Sequence, residues 1–459
     1  MLNELKNILE NRFNFSVNKN QLRDITRLIF EITRRQNCSL DKILDHLEKY
    51  TKINKVYGRD KFFVLKEELI KYRFPLAYQH EKIDTKKVFL NSIRTPLSEK
   101  WPVKKNFTPL QIFVEKEVRN SPLLKNFQKK FPDIPVRKIK SHSEYLKNNK
   151  FNLSELKKPL VFITKEKWDF LKPCPCTKHH LRCGYWIFNL GFGCPFDCSY
   201  CFLQQYTNFP GLLLPANLED FFEEFDRFVK KITHPIRIGT GEFCDSLALD
   251  EITEYSKKLI PYFREKNVFF ELKTKSVQIK NLLEIKASKN IIISWSLNPQ
   301  ELIKTEEKGA ATLEDRLKAA ALIQEKGYQV GFHFDPIIHA SNWENMYKKA
   351  VDSLYRHTKA PFAWISLGTL RSNRTLKTIA EIRIPKTNIF YGELFIGEDK
   401  KLRYPKFIRK QIYTKMIKWI RHYDTKTPVY LCMEGEDNWQ VLGNNLTTTS
   451  KIEKYILNK

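Results

Sequence analysis

Residues 185–201 read Tyr185-Trp186-Ile187-Phe188-Asn189-Leu190-Gly191-Phe192-Gly193-Cys194-Pro195-Phe196-Asp197-Cys198-Ser199-Tyr200-Cys201. An apolar run, Tyr185–Leu190, predicts a strand. It empties into a loop whose cysteines are spaced C-x3-C-x2-C. Three thiolates at that spacing can hold three irons of a [4Fe–4S] cluster on one short loop. No fourth cysteine follows in step, so one iron is left open. An open iron can bind a second ligand and pass it an electron, which is chemistry side chains cannot supply. A zinc loop is the plainer alternative.

Outward from that loop the sequence repeats one pattern. Apolar stretches end in polar residues: Ile236–Gly239 in Thr240-Gly241-Glu242, Val268–Leu272 in Lys273-Thr274-Lys275, Ile291–Leu297 in Asn298-Pro299. Tyr328–Phe334 ends in Asp335-Pro336 and Phe362–Leu367 in Gly368-Thr369. Amphipathic helices fit between them, Leu313–Lys326 being the clearest. Alternating strands and helices predict a parallel α/β sheet or barrel, and such folds carry their chemistry at the C-terminal strand ends. Further strands are expected at Ile389–Phe395 and Val429–Cys432, with a basic helix over Tyr404–Tyr423 between them.

Upstream, residues 1–95 read as short amphipathic helices, from apolar residues such as Leu22, Ile25, Leu28, Ile29 and Ile32 at helical spacing. Asn18 and Asp41 stand at cap positions. Residues 96–182 contain a Pro- and Lys-rich linker (Pro96, Pro102, Lys104, Lys105) and a small strand–helix–strand element over 110–139. The barrel is expected over 183–435, with a C-terminal tail at 436–459.

The chain has 80 Lys+Arg against 52 Asp+Glu, a formal charge of +28. Such a surface favours phosphate backbones through counterion release, DNA and RNA alike. The sequence has no apolar run long enough to span a bilayer, and its N-terminus lacks a signal-peptide core. Nine cysteines, an odd number, do not read as a disulfide scaffold. Together these point to a cytoplasmic protein with no membrane partner.

The cysteine loop, with an aromatic residue before its last cysteine, resembles the radical S-adenosylmethionine (SAM) enzymes. The chain from about residue 110 to 435 resembles the spore photoproduct lyase family among them. The matching text is Cys198-Ser199-Tyr200-Cys201-Phe202-Leu203-Gln204, Asp245-Ser246-Leu247-Ala248-Leu249-Asp250, Thr274-Lys275, Ser294-Trp295-Ser296-Leu297-Asn298, and Arg316 to Phe334. The resemblance implies an α/β fold, a partial (β/α)6 radical SAM barrel. It implies that Cys194, Cys198 and Cys201 ligate a [4Fe–4S] cluster and that SAM is the second cofactor. Glu242 is placed to accept from the SAM ammonium, and Lys275, Ser296 and Asn298 to hold its carboxylate or ribose; charge-assisted bonds of this kind are strong. The implied activity is that of a lyase. SAM is cleaved to a 5′-deoxyadenosyl radical that acts on thymine-dimer DNA, with the damaged bases leaving the stack. An electron donor such as flavodoxin or ferredoxin is implied as well.

Two departures from the family pattern stand out. The lyase places a hydrogen-returning cysteine just ahead of a Ser-Asp pair on the second strand, and alignment on Asp245 puts Glu242 there. The lyase also has Tyr after its last cluster cysteine, where this chain has Phe202. Cys244 and Cys432 are therefore the candidate donors, each otherwise a small buried apolar residue. The departures leave open a radical SAM enzyme acting on RNA or another substrate. A basic nucleic-acid-binding protein with a structural or redox-sensing cluster is a third reading. A second group, Cys174, Cys176, His179, His180 and Cys183, could hold zinc or an auxiliary cluster. His333 and Asp335 share one side of their strand and could face substrate.

Overall fold

The computed structural model describes residues 2–457 except 52, 81–82, 168, 178–179 and 444. The chain divides into two compact units. One comprises 1–96, 338–340 and 371–408; the other comprises 97–337, 341–370 and 409–459.

The first unit is built on helices Leu2–Phe13, Lys19–Gln36, Leu40–Tyr50 and Asp60–Arg73. Their apolar faces close a core around Leu9, Ile25, Leu28, Ile32, Leu65 and Leu69. Asn18 caps the second helix in a reciprocal box with Gln21. Ser39, not Asp41, caps the third. The segment 371–408, expected within the barrel, belongs to this unit. Its helix Arg374–Arg383 brings Lys377 and Glu381 into a buried ionic group. Glu31 accepts from Arg27 (2.8 Å), Arg73 (2.7 Å) and Lys377 (2.5 Å), and those cations hold its carboxyl well below the usual range against the burial that opposes ionisation. Burial pushes the Lys377 ammonium down to about 8. The strand expected at Ile389–Phe395 is instead a 3-10 turn, Ile389–Tyr391, followed by a two-residue strand, Phe395–Ile396. Ile389, Phe390 and Tyr391 are all buried, so the apolar run that suggests a strand instead packs as a turn into the core.

Besides a two-stranded antiparallel pair, the second unit holds, among the described residues, two larger sheets. The smaller is parallel, in the order Val136–Ile139, Gln111–Glu115, Leu160–Thr164, Leu212–Pro215. The larger is eight-stranded: Leu171–Pro173, Tyr185–Phe188, Ile236–Gly239, Val268–Thr274, Ile291–Ser296, Gln329–Ile337, Ile365–Thr369 and Val429–Leu431. Spatial order follows chain order, and every pair is parallel except Leu171–Pro173 with Tyr185–Phe188. A sheet wound one way, with a helix after each strand, is the topology of a barrel rather than of a doubly wound sheet. Ile291, Ile292 and Ile293 are all buried, as a strand covered on both faces requires.

The sheet curls. Arg237, on Ile236–Gly239, donates to the Tyr430 hydroxyl on Val429–Leu431 at 3.0 Å, so strands five places apart meet across the interior. Its guanidinium also lies 4.1 Å from the Trp364 ring. Glu271 accepts there from His333 (2.7 Å) and Trp364 (3.1 Å). This polar layer fills the barrel, as side chains fill a closed barrel core. The tail also packs: Ile452 and Ile456 of helix Thr449–Ile456 are buried.

Candidate active site

Three side-chain groups converge at the C-terminal ends of the barrel strands. The cysteine loop leaves Tyr185–Phe188 through Gly191 and Gly193, both at positive φ. A Cβ on Gly191 would stand 2.1 Å from the Leu213 carbonyl oxygen, so only glycine lets the loop lie against Leu212–Pro215. Phe192 and Leu213 exchange backbone hydrogen bonds of 3.0 and 2.8 Å across that approach. Asp197–Cys198 pairs antiparallel with Glu307–Lys308. Lys157 donates to the carbonyls of Cys194 (3.0 Å) and Phe196 (2.5 Å). Gln204 donates to those of Cys198 (2.9 Å) and Ser199 (3.0 Å).

The cysteine thiols lie within each other's field: Cys194 and Cys201 both act on Cys198, and Cys201 on Cys194. Burial raises all three, Cys194 to about 12. Lys275 opposes that rise at Cys198 and Cys201, and Lys157 at Cys194 and Cys201. Among the described residues no three His, Cys, Asp or Glu close on one point as ligands of a single ion do. In a cuboidal cluster each thiolate takes its own iron, and one loop carrying Cys194, Cys198 and Cys201 can supply three of them. The donor set fits: one buried and two half-buried cysteines, carbonyls pinned by Lys157 and Gln204, and two ammonium groups beside the thiols.

Behind the loop stands a buried carboxylate, Glu307. Arg316 donates to it at 2.5 Å, Asn298 at 2.8 Å, and the Tyr200 hydroxyl also bonds it. Arg316 further donates to the Ser296 carbonyl at 2.8 Å. Asn298 is 1% exposed. It gives its second N–H to Tyr200 (3.3 Å) and accepts from Tyr347 (2.7 Å). Both its donors are engaged, so Asn298 positions Tyr200 and Glu307 at this strand end. Ser199 bonds Glu306 through its side chain and, at 2.9 Å, its backbone N–H.

The second strand end carries Glu242, which accepts from Lys273 at 3.2 Å. Asp245 receives the backbone N–H groups of Leu247, Ala248 and Lys275 and the Thr274 hydroxyl. The Asp245-Ser246 pair therefore ties this loop to the next strand end. Lys275 carries its ammonium to 5.9 Å from the Tyr200 ring, near the cluster loop. Ser296 lies buried at its strand end, in register with His333. His333 is engaged by Glu271, so it belongs to the interior layer.

Cys244 lines a small cavity of ≈ 20 Å³ with Leu190, Leu212, Leu214 and Tyr255, where burial pushes its thiol up to about 12. Cys432 ends the last strand with its N–H on the Leu367 carbonyl at 2.8 Å. Cys174 is a thiol in the field of Glu242. It is hydrogen-bonded to Cys176, buried, and in the field of Glu242, and each effect raises it. Cys183 adjoins Cys176. Of the other two expected members, His180 donates its backbone N–H to the Thr177 carbonyl at 3.3 Å, and His179 lies outside the described residues. Sequence reading missed the nearness of Cys174 to Glu242, and also Lys157 and Lys273. A lysine among so many leaves no signal, and the C-x-C spacing says nothing of what it faces.

A family model described as spore photoproduct lyase matches residues 107–423. The chain belongs to the spore photoproduct lyase family. It is a radical SAM enzyme of that type. Spore photoproduct lyase of Bacillus subtilis is 24% identical over 326 residues, 67% of this chain and 91% of the relative. That of Clostridium acetobutylicum is 28% identical over 241 residues, 50% of this chain and 69% of the relative. A solved spore photoproduct lyase complexed with dinucleoside spore photoproduct superposes with a TM-score of 0.61 at 22% identity, covering 71% of this chain and 99% of that one. A mutant lyase with bound AdoMet and the same dinucleoside matches equally well. These structures share the fold, and the partial barrel expected from the sequence is the one observed.

Proposed function

We propose that this family member cleaves SAM reductively and directs the resulting radical at a thymine-dimer lesion in DNA. The observation that carries the reading is the glycine-flanked loop of Cys194, Cys198 and Cys201 at the end of the first parallel barrel strand, set among Lys157 and Lys275. When bound, the cluster and SAM supply a 5′-deoxyadenosyl radical. The chain's own residues do the rest. Glu242, held by Lys273 at 3.2 Å, would accept from the SAM ammonium. Lys275 and Ser296 meet the carboxylate or ribose. Glu307, fixed by Arg316 and Asn298, holds Tyr200 and so the cluster loop. A thiol holds the hydrogen that returns to the product: Cys244 and Cys432 are two holders, and Cys174, beside Glu242, is a third. The buried interior layer keeps water from below the site.

The net charge of +28 supports DNA as the partner. A flavodoxin or ferredoxin serves as electron donor, and the cytoplasm, where thiols stay reduced, is the compartment. No helix among the described residues is long and apolar enough to cross a membrane. Glu242 at the lyase's donor position and Phe202 after the last cluster cysteine favour a second reading, the same chemistry on another nucleic acid such as RNA. Anoxic reconstitution followed by dithionite, SAM and either UV-irradiated DNA or RNA separates the two. Dimer loss in DNA supports the first reading, product formed on RNA alone supports the second, and absence of 5′-deoxyadenosine removes both.

A further inference from the structure

A second cavity, of ≈ 440 Å³, opens beside the cysteine loop. Its walls are the Pro-rich segment around Trp101, Lys104 and Phe107, the turn at Leu156–Pro159, and Cys194 itself. None of Glu242, Lys273, Lys275 or Ser296 lines it. It therefore touches the cluster loop without sharing the residues assigned to SAM. Trp101 and Leu110 are exposed at its rim, large apolar groups that solvent disfavours. Lys158 stands 5.8 Å from the Trp101 ring, and Lys104 and Lys105 are exposed on the same segment. Glu155, bound to Lys158 at 2.9 Å, and Glu99, exposed just before Trp101, are acids of this group. The segment is anchored: Trp101 N–H reaches the Ser154 carbonyl at 3.4 Å, and Val103 packs against Gly309 close to Phe196.

An apolar pocket with a cationic rim is the complement of an acidic protein that inserts an apolar edge. We propose that this face docks a small acidic electron-carrier protein, bearing a flavin or an iron–sulfur group, which delivers electrons through Cys194. In each transfer the carrier loses one electron and the [4Fe–4S] centre gains it; no bond is made or broken. A nucleic acid also answers to lysine and tryptophan. Cys194 in the wall and the absence of SAM-site residues favour the electron carrier. The inference rests on the radical SAM reading above.

The test uses the full-length chain with Lys104→Glu, Lys105→Glu and Lys158→Glu combined, and a second variant, Trp101→Ala. Flavodoxin is the probe, titrated calorimetrically onto each protein and then used, reduced, to drive SAM cleavage. Charge reversal is expected to weaken flavodoxin binding about tenfold or more, with a matching rise in KM for flavodoxin that is steepest at low salt. Trp101→Ala is expected to weaken binding without changing its salt dependence. Cluster content and dithionite-driven cleavage stay at the wild-type level in both. Unchanged flavodoxin binding in both variants overturns the proposal. So does a loss of DNA affinity with flavodoxin affinity intact, or an equal fall in dithionite-driven cleavage. Failure of wild-type protein to cleave SAM with dithionite instead removes the radical SAM reading, so the two failures are distinguishable.

Discussion

The chain has two cysteine groups upstream and downstream of one strand, Tyr185–Phe188, and they differ in what holds them. Cys194, Cys198 and Cys201 sit on a loop fixed by Lys157, Gln204, Glu306 and Glu307, with cations facing the sulfurs. Cys174, Cys176 and Cys183 neighbour one another, and Cys174 lies in the field of a carboxylate, Glu242. A cationic setting favours thiolates, the form that binds iron; an anionic one keeps a thiol protonated, the form that carries a hydrogen atom. Burial raises thiols in both groups, and carboxylates act on the first group too, Asp245 on Cys194 and Glu307 on Cys198; what sets the first group apart is the nearby pair Lys157 and Lys275, and we propose that it binds iron while Cys174 holds a hydrogen.

The sharpest way to break this comparison is one substitution on each side. Cys198→Ala is expected to abolish the iron–sulfur chromophore and lower SAM cleavage about a thousandfold or more, since the cofactor carries the chemistry. Cys174→Ala is expected to keep the chromophore and 5′-deoxyadenosine release while product per SAM cleaved falls. Equal iron loss in both variants would erase the distinction. Next in size is the framework behind the loop. Arg316→Met leaves Glu307 buried without its cation and is expected to cost about 3–5 kcal/mol in urea unfolding. Wild-type stability in that variant contradicts the assigned role of Arg316. Smaller still is Glu242→Gln, which keeps the shape and removes the charge. Its KM for SAM is expected to rise about tenfold, the loss of one charge-assisted hydrogen bond, with cluster content unchanged. The smallest effect is expected at Cys432→Ser. Product yield there should stay within about twofold of wild type, because a serine hydroxyl replaces only a minor thiol holder. A fall matching that of Cys174→Ala moves the hydrogen-holding role to the last strand.

Local signals in the sequence carried most of this site. Ligand spacing on one loop is a short-range property, and Cys194, Cys198 and Cys201 were readable from it. Apolar runs ending in polar residues likewise marked Ile236–Gly239, Val268–Thr274 and Ile291–Ser296, because buried parallel strands need continuous apolar residues. What was hidden depends on chain-distant partners. The sequence places Asn298 at a strand end but does not show that Tyr347 and Glu307 are its hydrogen-bond partners. Arg374–Arg383 has ordinary helical periodicity, which states that a face is buried and not against which core. Only the buried contact of Lys377 with Glu31, 346 positions away, places it with the N-terminal helices. Leu212–Pro215 was passed over because its partners, Leu160–Thr164 and the cluster loop, lie outside the barrel.

The central claim is that this loop carries a cluster able to break SAM. The most direct measurement is anoxic loading of the full chain with iron and sulfide, then dithionite and SAM, with 5′-deoxyadenosine quantified with and without UV-irradiated DNA. The account predicts about four irons per chain, nucleoside release, and loss of thymine dimers from the DNA. A fully loaded brown protein that releases no 5′-deoxyadenosine contradicts it.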